Sequence, residues 1–349
     1  MSKGPAIAAI DRSEAGSLQI ASSTVVIGTA HLGERALLAE GAVIRSSGTG
    51  VEVGTGSAVL ENSVVVGTAN MPTMVGRRST FGHRCLVIGT TVGDLCEIGN
   101  ASILMPGARV GDRVFLGEGT LVPAGMTLPN NVVAVGRPAR IIRTVSAADL
   151  DRLRGLRDGD LSIPPHTSIT IEPTTEVGMG QLYAYRGIVP TIAASAVLFP
   201  SAEITGDVVV GERTIIGAGV KIIGDSHGPV RIGDDVQILE NTVLHLLPDN
   251  QLIIDDGAIV GPGTMIHGCH IGARSVIEPG AIVCDGSTVG ADCIVRAGAV
   301  VKQRSRFPDG IEIDGFPAVE VARIDPPATP PWALRRDGLP VPAPGGLSK

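Results

Sequence analysis

Two tandem left-handed parallel β-helices of hexapeptide repeats, with a short linker helix between them, are the all-β fold that this sequence predicts. Three observations carry the prediction. Apolar residues recur at every sixth position through Val92, Ile98, Leu104, Val110, Leu116 and Val122, and again through Ile271, Ile277, Val283, Val289, Val295 and Val301. An α-helix shows a period near 3.6 and a plain strand a period of two. Six fits a triangular coil, in which each side is one short strand plus a turn and one aliphatic side chain per hexapeptide points inward. Second, hydrophobic residues make up 44% of the 349 residues but aromatic ones only 2%. Val, Ile, Leu and Ala must therefore fill the interior, which suits a narrow solenoid rather than a core built on large rings. Third, the pattern is duplicated. Val59-Leu-Glu-Asn-Ser-Val-Val-Val66 aligns without gaps on Ile238-Leu-Glu-Asn-Thr-Val-Leu-His245, and Phe81 to Gly93 aligns on Val260 to Gly272.

The elements follow in order. The first solenoid is expected over residues 20–140, ending on Gly136-Arg-Pro-Ala. Glycine follows the apolar residue at Gly93, Gly99, Gly111 and Gly117, where a small residue relieves a corner. No rung can bury itself alone, so many must stack. Residues 141–191 form the linker; within it Ser146-Ala-Ala-Asp-Leu-Asp-Arg-Leu-Arg predicts a short helix with a Ser N-cap and an acidic first turn. The stretch 163–190, with Pro-Pro and several glycines, reads as ordered linker. The second solenoid spans 192–322 and exits on Gly315-Phe-Pro-Ala. The Pro-rich tail, 323–349, cannot be helical and is expected to lie extended on the surface or on a neighbouring subunit.

The net charge of −7 comes without any basic run, so no phosphate-neutralising patch is present and nucleic acid is not an expected partner. Met1 to Ser17 lacks an apolar stretch of signal or membrane-span length, which predicts a cytoplasmic protein without membrane association. The five cysteines (Cys85, Cys96, Cys269, Cys284 and Cys293) lack paired metal-ligand spacing and read as small buried thiols.

Seven histidines are few, and three of them complement one another across the duplication. His83 follows glycine in Phe81-Gly-His-Arg-Cys-Leu-Val-Ile-Gly89, where the second half reads Val260-Gly-Pro-Gly-Thr-Met-Ile-His-Gly268. The second half thus has Pro262 in place of His83, and His267 in place of Ile88. His245 stands where the first half has Val66. Each half keeps what the other lost, as expected if one composite site survives. His31, His166, His227 and His270 fall outside this pattern and read as surface or packing residues.

These segments resemble the γ-class carbonic anhydrases, whose first histidine ends a Q-D-G-x-x-x-H-like stretch and is followed one turn later by G-H-x-x-x-x-H-G. The resemblance implies a zinc ion held by His83, His245 and His267, between subunits, with the first and third ligands from one and the middle ligand from its neighbour. His245 and His267 match the first and third ligands, and His83 the middle one. Fe2+ or Co2+ would also suit such a site. The family carries an Arg-x-Asp pair bridging subunits; the first half has Arg45 with Ser47, the second Asp225 with Ile223. Arg45 and Asp225 are therefore candidates for an interfacial pair, and Asp225, Gln237, Glu240 and Glu61 for orienting the imidazoles.

The chain departs from the family at two points. Leu239-Glu240 replaces the Q-D pair, and Leu246-Leu247-Pro248-Asp249 stands where an acidic proton shuttle follows the first histidine. A leucine pair beside the metal makes a dry pocket. The expected activity is a metal-dependent, lyase- or hydratase-type reaction diverged from CO2 hydration toward a larger organic substrate. Two other classes suit the fold: a hexapeptide acyltransferase with a cleft histidine as general base, and a non-catalytic assembly module. The expected partners are a small-molecule substrate and further copies of the chain. The resemblance suggests a trimer, although two unlike halves cannot alternate around a ring of three.

Overall fold

The computed structural model describes residues 17–47, 50–171, 180–199, 201–225 and 228–335. His227 and the residues from 336 onward lie outside the described residues. Within each half the chain winds into a three-walled coil whose strands are two to four residues long, apart from the exit hairpins, and pair in parallel from rung to rung. The pairing step is the hexapeptide period taken three times: Ile98 lies beside Leu116, and Ile277 beside Val295.

In the first coil, wall 1a contains Thr80–Phe81 and Glu97–Ile98, wall 1b contains Val64–Gly67 and Leu86–Ile88, and wall 1c contains Thr73–Val75 and Thr91–Val92. The counterparts in the second coil are wall 2a with Gln237–Ile238 and Ile259–Val260, wall 2b with Val243–Leu244 and Met265–Ile266, and wall 2c with Leu252–Ile254 and His270–Ile271. Alternate residues of a strand face opposite ways. In each two-residue strand the second is therefore the inward one, as in Ile98, Leu104, Ile238 and Ile277, all of them buried. Each coil has its own aliphatic core. Truncating Ile238, which is 0% exposed, to alanine is expected to lower stability by about 2–5 kcal/mol in a urea titration, since a rigid coil cannot close over the cavity.

Two sequence expectations change in detail. The glycines that follow the apolar residue do not occupy left-handed backbone. A Cβ at Gly93 would meet the carbonyl carbon of Gly111 at 2.7 Å, and one at Gly272 would meet the nitrogen of Ala291 at 2.5 Å. They are small because successive rungs touch there. The left-handed corners fall on other glycines, such as Gly56 and Gly257, and on non-glycine residues, among them Asn62, Arg84, Leu95, Asn241 and Arg274. The second coil also starts earlier than expected, because Gln181–Tyr183 already pairs with Glu203–Gly206 as a rung of wall 2b.

Between the coils the predicted helix forms over Ala147–Gly155, and Ser146 and Asp149 cap it reciprocally. The chain then runs back along the first coil: Arg157 reaches Thr80 and Glu97, and Ser168–Ile171 pairs antiparallel with Ala30–Gly33. No described helix is long and apolar enough to cross a membrane. Four of the five cysteines are buried and all are free thiols; burial pushes those of Cys85 and Cys96 up to about 12.

The coils join along the outer faces of walls 1b and 2a. Val64, Val66, Leu86, Ile88 and Ile103 pack there with Ile215, Leu239, Ile259 and Val276 as a third apolar cluster. The tail takes part. Trp332 is buried in the seam, and Leu334 exchanges two 2.9 Å hydrogen bonds with the Gln237 side chain. The tail thus lies against its own chain as far as it is described.

Candidate metal site

His245 and His267 stand on consecutive rungs at the corner where wall 2b turns into wall 2c. The alternation that sends Leu244 and Ile266 inward sends the next residue outward, so both imidazoles lie on the outer face. The backbone holds both: His245 N–H donates to Ile266 O (3.0 Å) and His267 N–H to Val283 O (2.8 Å). The ring centroids are 6.4 Å apart with planes at 80°. The Nδ1 of His267 is buried without a hydrogen-bond partner, 3.5 Å from Asp285 Oδ2. The other oxygen of Asp285 accepts from Leu247 N–H, Gly268 N–H and Asn250 Nδ2, each at 3.2 Å. Asp285 is thereby fixed beside the ring. The sequence reading missed it, although it lies one turn of three hexapeptides beyond His267 and could have been found by counting.

His83 occupies the corner between walls 1a and 1b. Its backbone N–H donates to Asn100 Oδ1 at 2.7 Å, which anchors the corner to the next rung. The side chain is 53% exposed, with Nδ1 2.7 Å from Glu61 Oε2. That oxygen is buried and has no aligned donor, so a turn of the ring would let Nδ1–H donate to it. The contact leaves Nε2 free to act as a ligand, which is how an outer carboxylate selects an imidazole tautomer. Glu61, one of the four acceptors that the sequence reading offered, thus lies against an imidazole.

The single chain does not assemble the trio. Among the described residues no group of three or more His, Cys, Asp or Glu side chains is placed to hold a metal. The donor set itself suits zinc: imidazoles on fixed backbone, two of them beside a carboxylate, and one buried nitrogen without a partner.

Of the other candidates, Arg45, Glu240 and Gln237 are engaged elsewhere. The carboxylate that meets Arg45 is Glu240 rather than Asp225, with Nε to Oε1 at 2.5 Å, and Arg45 Nη2 also donates to Trp332 O at 2.8 Å. Glu240 and Gln237 thus serve the seam and the tail and do not touch the imidazoles. Asp225 follows Gly224 at the end of a wall 2b strand. The expected leucine pair divides: Leu246 is buried in the core of the second coil, and only Leu247, 46% exposed, lies outside. His270 pairs with Asp255 (2.8 Å) and His166 with Glu52 (2.5 Å), surface roles as expected. An open cleft of about 460 Å3 lies in the seam further along the coils, between Met105, Leu121 and Arg137 on one side and Glu278, Arg296 and Phe316 on the other. None of the three histidines lines it.

The fold and these corners define a hexapeptide-repeat β-helix protein. Residues 268–303 match the family "Bacterial transferase hexapeptide (six repeats)", and residues 72–105 match "Hexapeptide repeat of succinyl-transferase". The chain is 41% identical over 109 residues to a carbonic anhydrase of Geobacillus kaustophilus, a match spanning 31% of this chain and 59% of the relative. It is 30% identical over 142 residues to the carnitine operon protein CaiE of Escherichia coli, spanning 41% of this chain and 72% of the relative. Among solved structures, a hexapeptide transferase family protein from Anaplasma phagocytophilum is 25% identical, covering 42% of this chain and 85% of that one, with a TM-score of 0.40. The chain belongs to the γ-carbonic-anhydrase-like family of hexapeptide-repeat proteins.

Proposed function

We propose that the protein is a metal-dependent enzyme of γ-carbonic-anhydrase type, with His83, His245 and His267 as ligands of one zinc ion, acting on a small molecule. The observation that carries this reading is the pair His245 and His267, side by side on consecutive rungs with Asp285 behind one ring. His83, backed by Glu61, is the third imidazole of the same kind. Three imidazoles and an open position are the ligand set of a catalytic zinc, which lowers the pKa of water toward 7 and polarises carbonyl groups.

The chain's own residues supply the rest. Glu61 and Asp285 set the rings, and Leu247 offers an apolar surface next to His245. The nearest carboxylate after His245 in sequence is the exposed Asp249, with two leucines and a proline between, so no acidic side chain directly follows the histidine as a proton relay. This favours an organic substrate over fast CO2 hydration. Metal analysis of the purified protein tests the reading, and less than about half a metal per chain overturns it, because such sites bind tightly when formed. A CO2-hydration assay on the metal-loaded protein then separates the two reactions. Glu61→Gln is expected to weaken zinc binding about 10–100-fold in a chelator competition while leaving the circular dichroism spectrum unchanged.

A further inference from the structure

We infer that the cleft between the last rungs of the two coils binds a small organic carboxylate, with Arg137 holding the carboxylate and Met105, Leu121 and Phe316 receiving the apolar body. His83, His245 and His267 do not line this cleft, so the site is separate from the candidate metal site.

The seam closes on aliphatic side chains over its earlier rungs and opens where the second coil changes character. The residues that follow the inward position of wall 2a run Leu239, Gly261, Glu278, Arg296 and Asp314 from rung to rung. The last three stand where the first coil has Gly99, Gly117 and Val135, so charge enters this column in the second coil only. Facing them, the first coil presents Met105 and Leu121. The turns between, with Ala124 on one side and Ala297 and Gly298 on the other, are too short to fill the gap. The resulting volume of about 460 Å3 falls within the range of small-molecule sites. Phe316, the counterpart of Arg137 in the second exit, borders it with a ring 75% exposed. A hydrocarbon body that covers this ring and lies against Met105 and Leu121 removes apolar surface from water.

The charges of the cleft decide which polar end it takes. Arg296 is already paired: its Nε donates to Glu312 at 2.7 Å and its Nη1 to Glu278 at 3.2 Å. Glu278 also accepts from Ala297 N–H at 2.9 Å, and burial pushes its carboxyl up, so its negative charge is both compensated and disfavoured. Asp314 is exposed and accepts from Gly315 N–H at 2.7 Å. Arg137 differs from Arg296. It reaches across the seam, where Nη2 donates to Gly298 O at 2.7 Å and Nη1 to Gly119 O at 3.3 Å, and it makes no ion pair among the described residues. The carbonyls fix the guanidinium without neutralising it. Burial lowers its pKa, and Asp314, beyond ion-pair range, offsets only part of that cost. A Cβ on Gly298 would sit 1.5 Å from Arg137 Nη2, so this glycine admits the guanidinium to the cleft. The N–H groups left over suit the two oxygens of a carboxylate. An alcohol lacks the charge and an amine carries the wrong one.

Hexanoate, hexanol and hexylamine, one chain with three different ends, test the assignment when titrated into the full chain by saturation-transfer NMR. Hexanoate is expected to bind at least about 10-fold more tightly than the other two, as charge-assisted hydrogen bonds require. Arg137→Met keeps the stem and Gly298→Ala displaces the guanidinium. Each is expected to weaken hexanoate about 10–100-fold in a chain that stays folded by circular dichroism, and to leave hexanol binding as it was. Phe316→Ala is expected to weaken all three ligands alike. His267→Ala and a metal chelator are expected to leave hexanoate binding unchanged; its loss in either case would place the carboxylate on the metal and overturn the separate site while sparing the metal reading. Absence of hexanoate binding at about 10 mM also overturns the inference. So does hexanol or hexylamine binding as tightly as hexanoate, or an Arg137→Met chain that binds hexanoate like the wild type.

Discussion

Arg45→Ala, or Glu240→Ala, is expected to destabilise the protein by about 3–5 kcal/mol, because either change leaves an uncompensated charge sealed between two apolar walls. The side chains are 6% and 0% exposed. The guanidinium approaches both carboxylate oxygens, at 2.5 and 3.4 Å, and donates to the Trp332 carbonyl at 2.8 Å. One group thus ties the first coil, the second coil and the tail together. Urea unfolding followed by circular dichroism reads the loss, and separation of the coils should appear as a new early transition. The double variant Arg45→Met with Glu240→Leu removes both charges and is expected to recover most of the loss, since a buried pair replaced by apolar groups is often neutral or stabilising. Single variants that unfold like the wild type would show that the seam stands on its aliphatic contacts alone. At the equivalent place in the first coil the glutamate is Glu61, and Arg45's counterpart is Ile223. Without a guanidinium to meet, Glu61 lies against His83 instead. The same position is an interface lock in one half and an imidazole partner in the other.

His267→Ala is expected to weaken zinc binding by more than about 100-fold, since even the loss of an outer partner costs 10–100-fold. Zinc-dependent protection against thermal unfolding should vanish with it; a ligand at 100 times its Kd contributes about 2.7 kcal/mol. Competition with a chromogenic chelator measures the affinity directly. His270→Ala is the matched control. That residue is three positions away on wall 2c, bonded to Asp255 at 2.8 Å, and its loss should leave the metal affinity unchanged. Equal losses in the two variants would remove His267 from the ligand set.

Much of the fold was legible because a β-helix is close to one-dimensional: each rung repeats the last, so a period in sequence becomes a step in space. The inward aliphatic series, the helix capped by Ser146 and the paired exits could be read without knowing how distant parts meet. The complementary placement of three histidines between the halves could be read too, and it is this pattern on which the proposed metal site rests. Less legible were residues whose partners lie far off in sequence. Glu240 was read as a neighbour of the metal from its closeness to His245, yet it faces wall 1b and meets a residue 195 positions away. Asp285 went unremarked because it is 18 residues from His267 in sequence and adjacent to it only through the winding of the coil. Leu246 and Leu247 read as a pair, but the alternation of an extended chain sends them opposite ways.

The sequence by itself determined two repetitive coils, their aliphatic interior and their family. Local periodicity decides those features, and periodicity is written in the chain. Only the tertiary structure decided which outer walls meet. Walls 1b and 2a are held by Arg45, Glu240, Trp332 and an aliphatic seam. Choosing among the outer faces is a matter of side-chain complementarity between distant segments, for which a repeat leaves no signature. That choice buries Val66, Ile88 and Pro262 and leaves His83, His245 and His267 on faces still open to a partner.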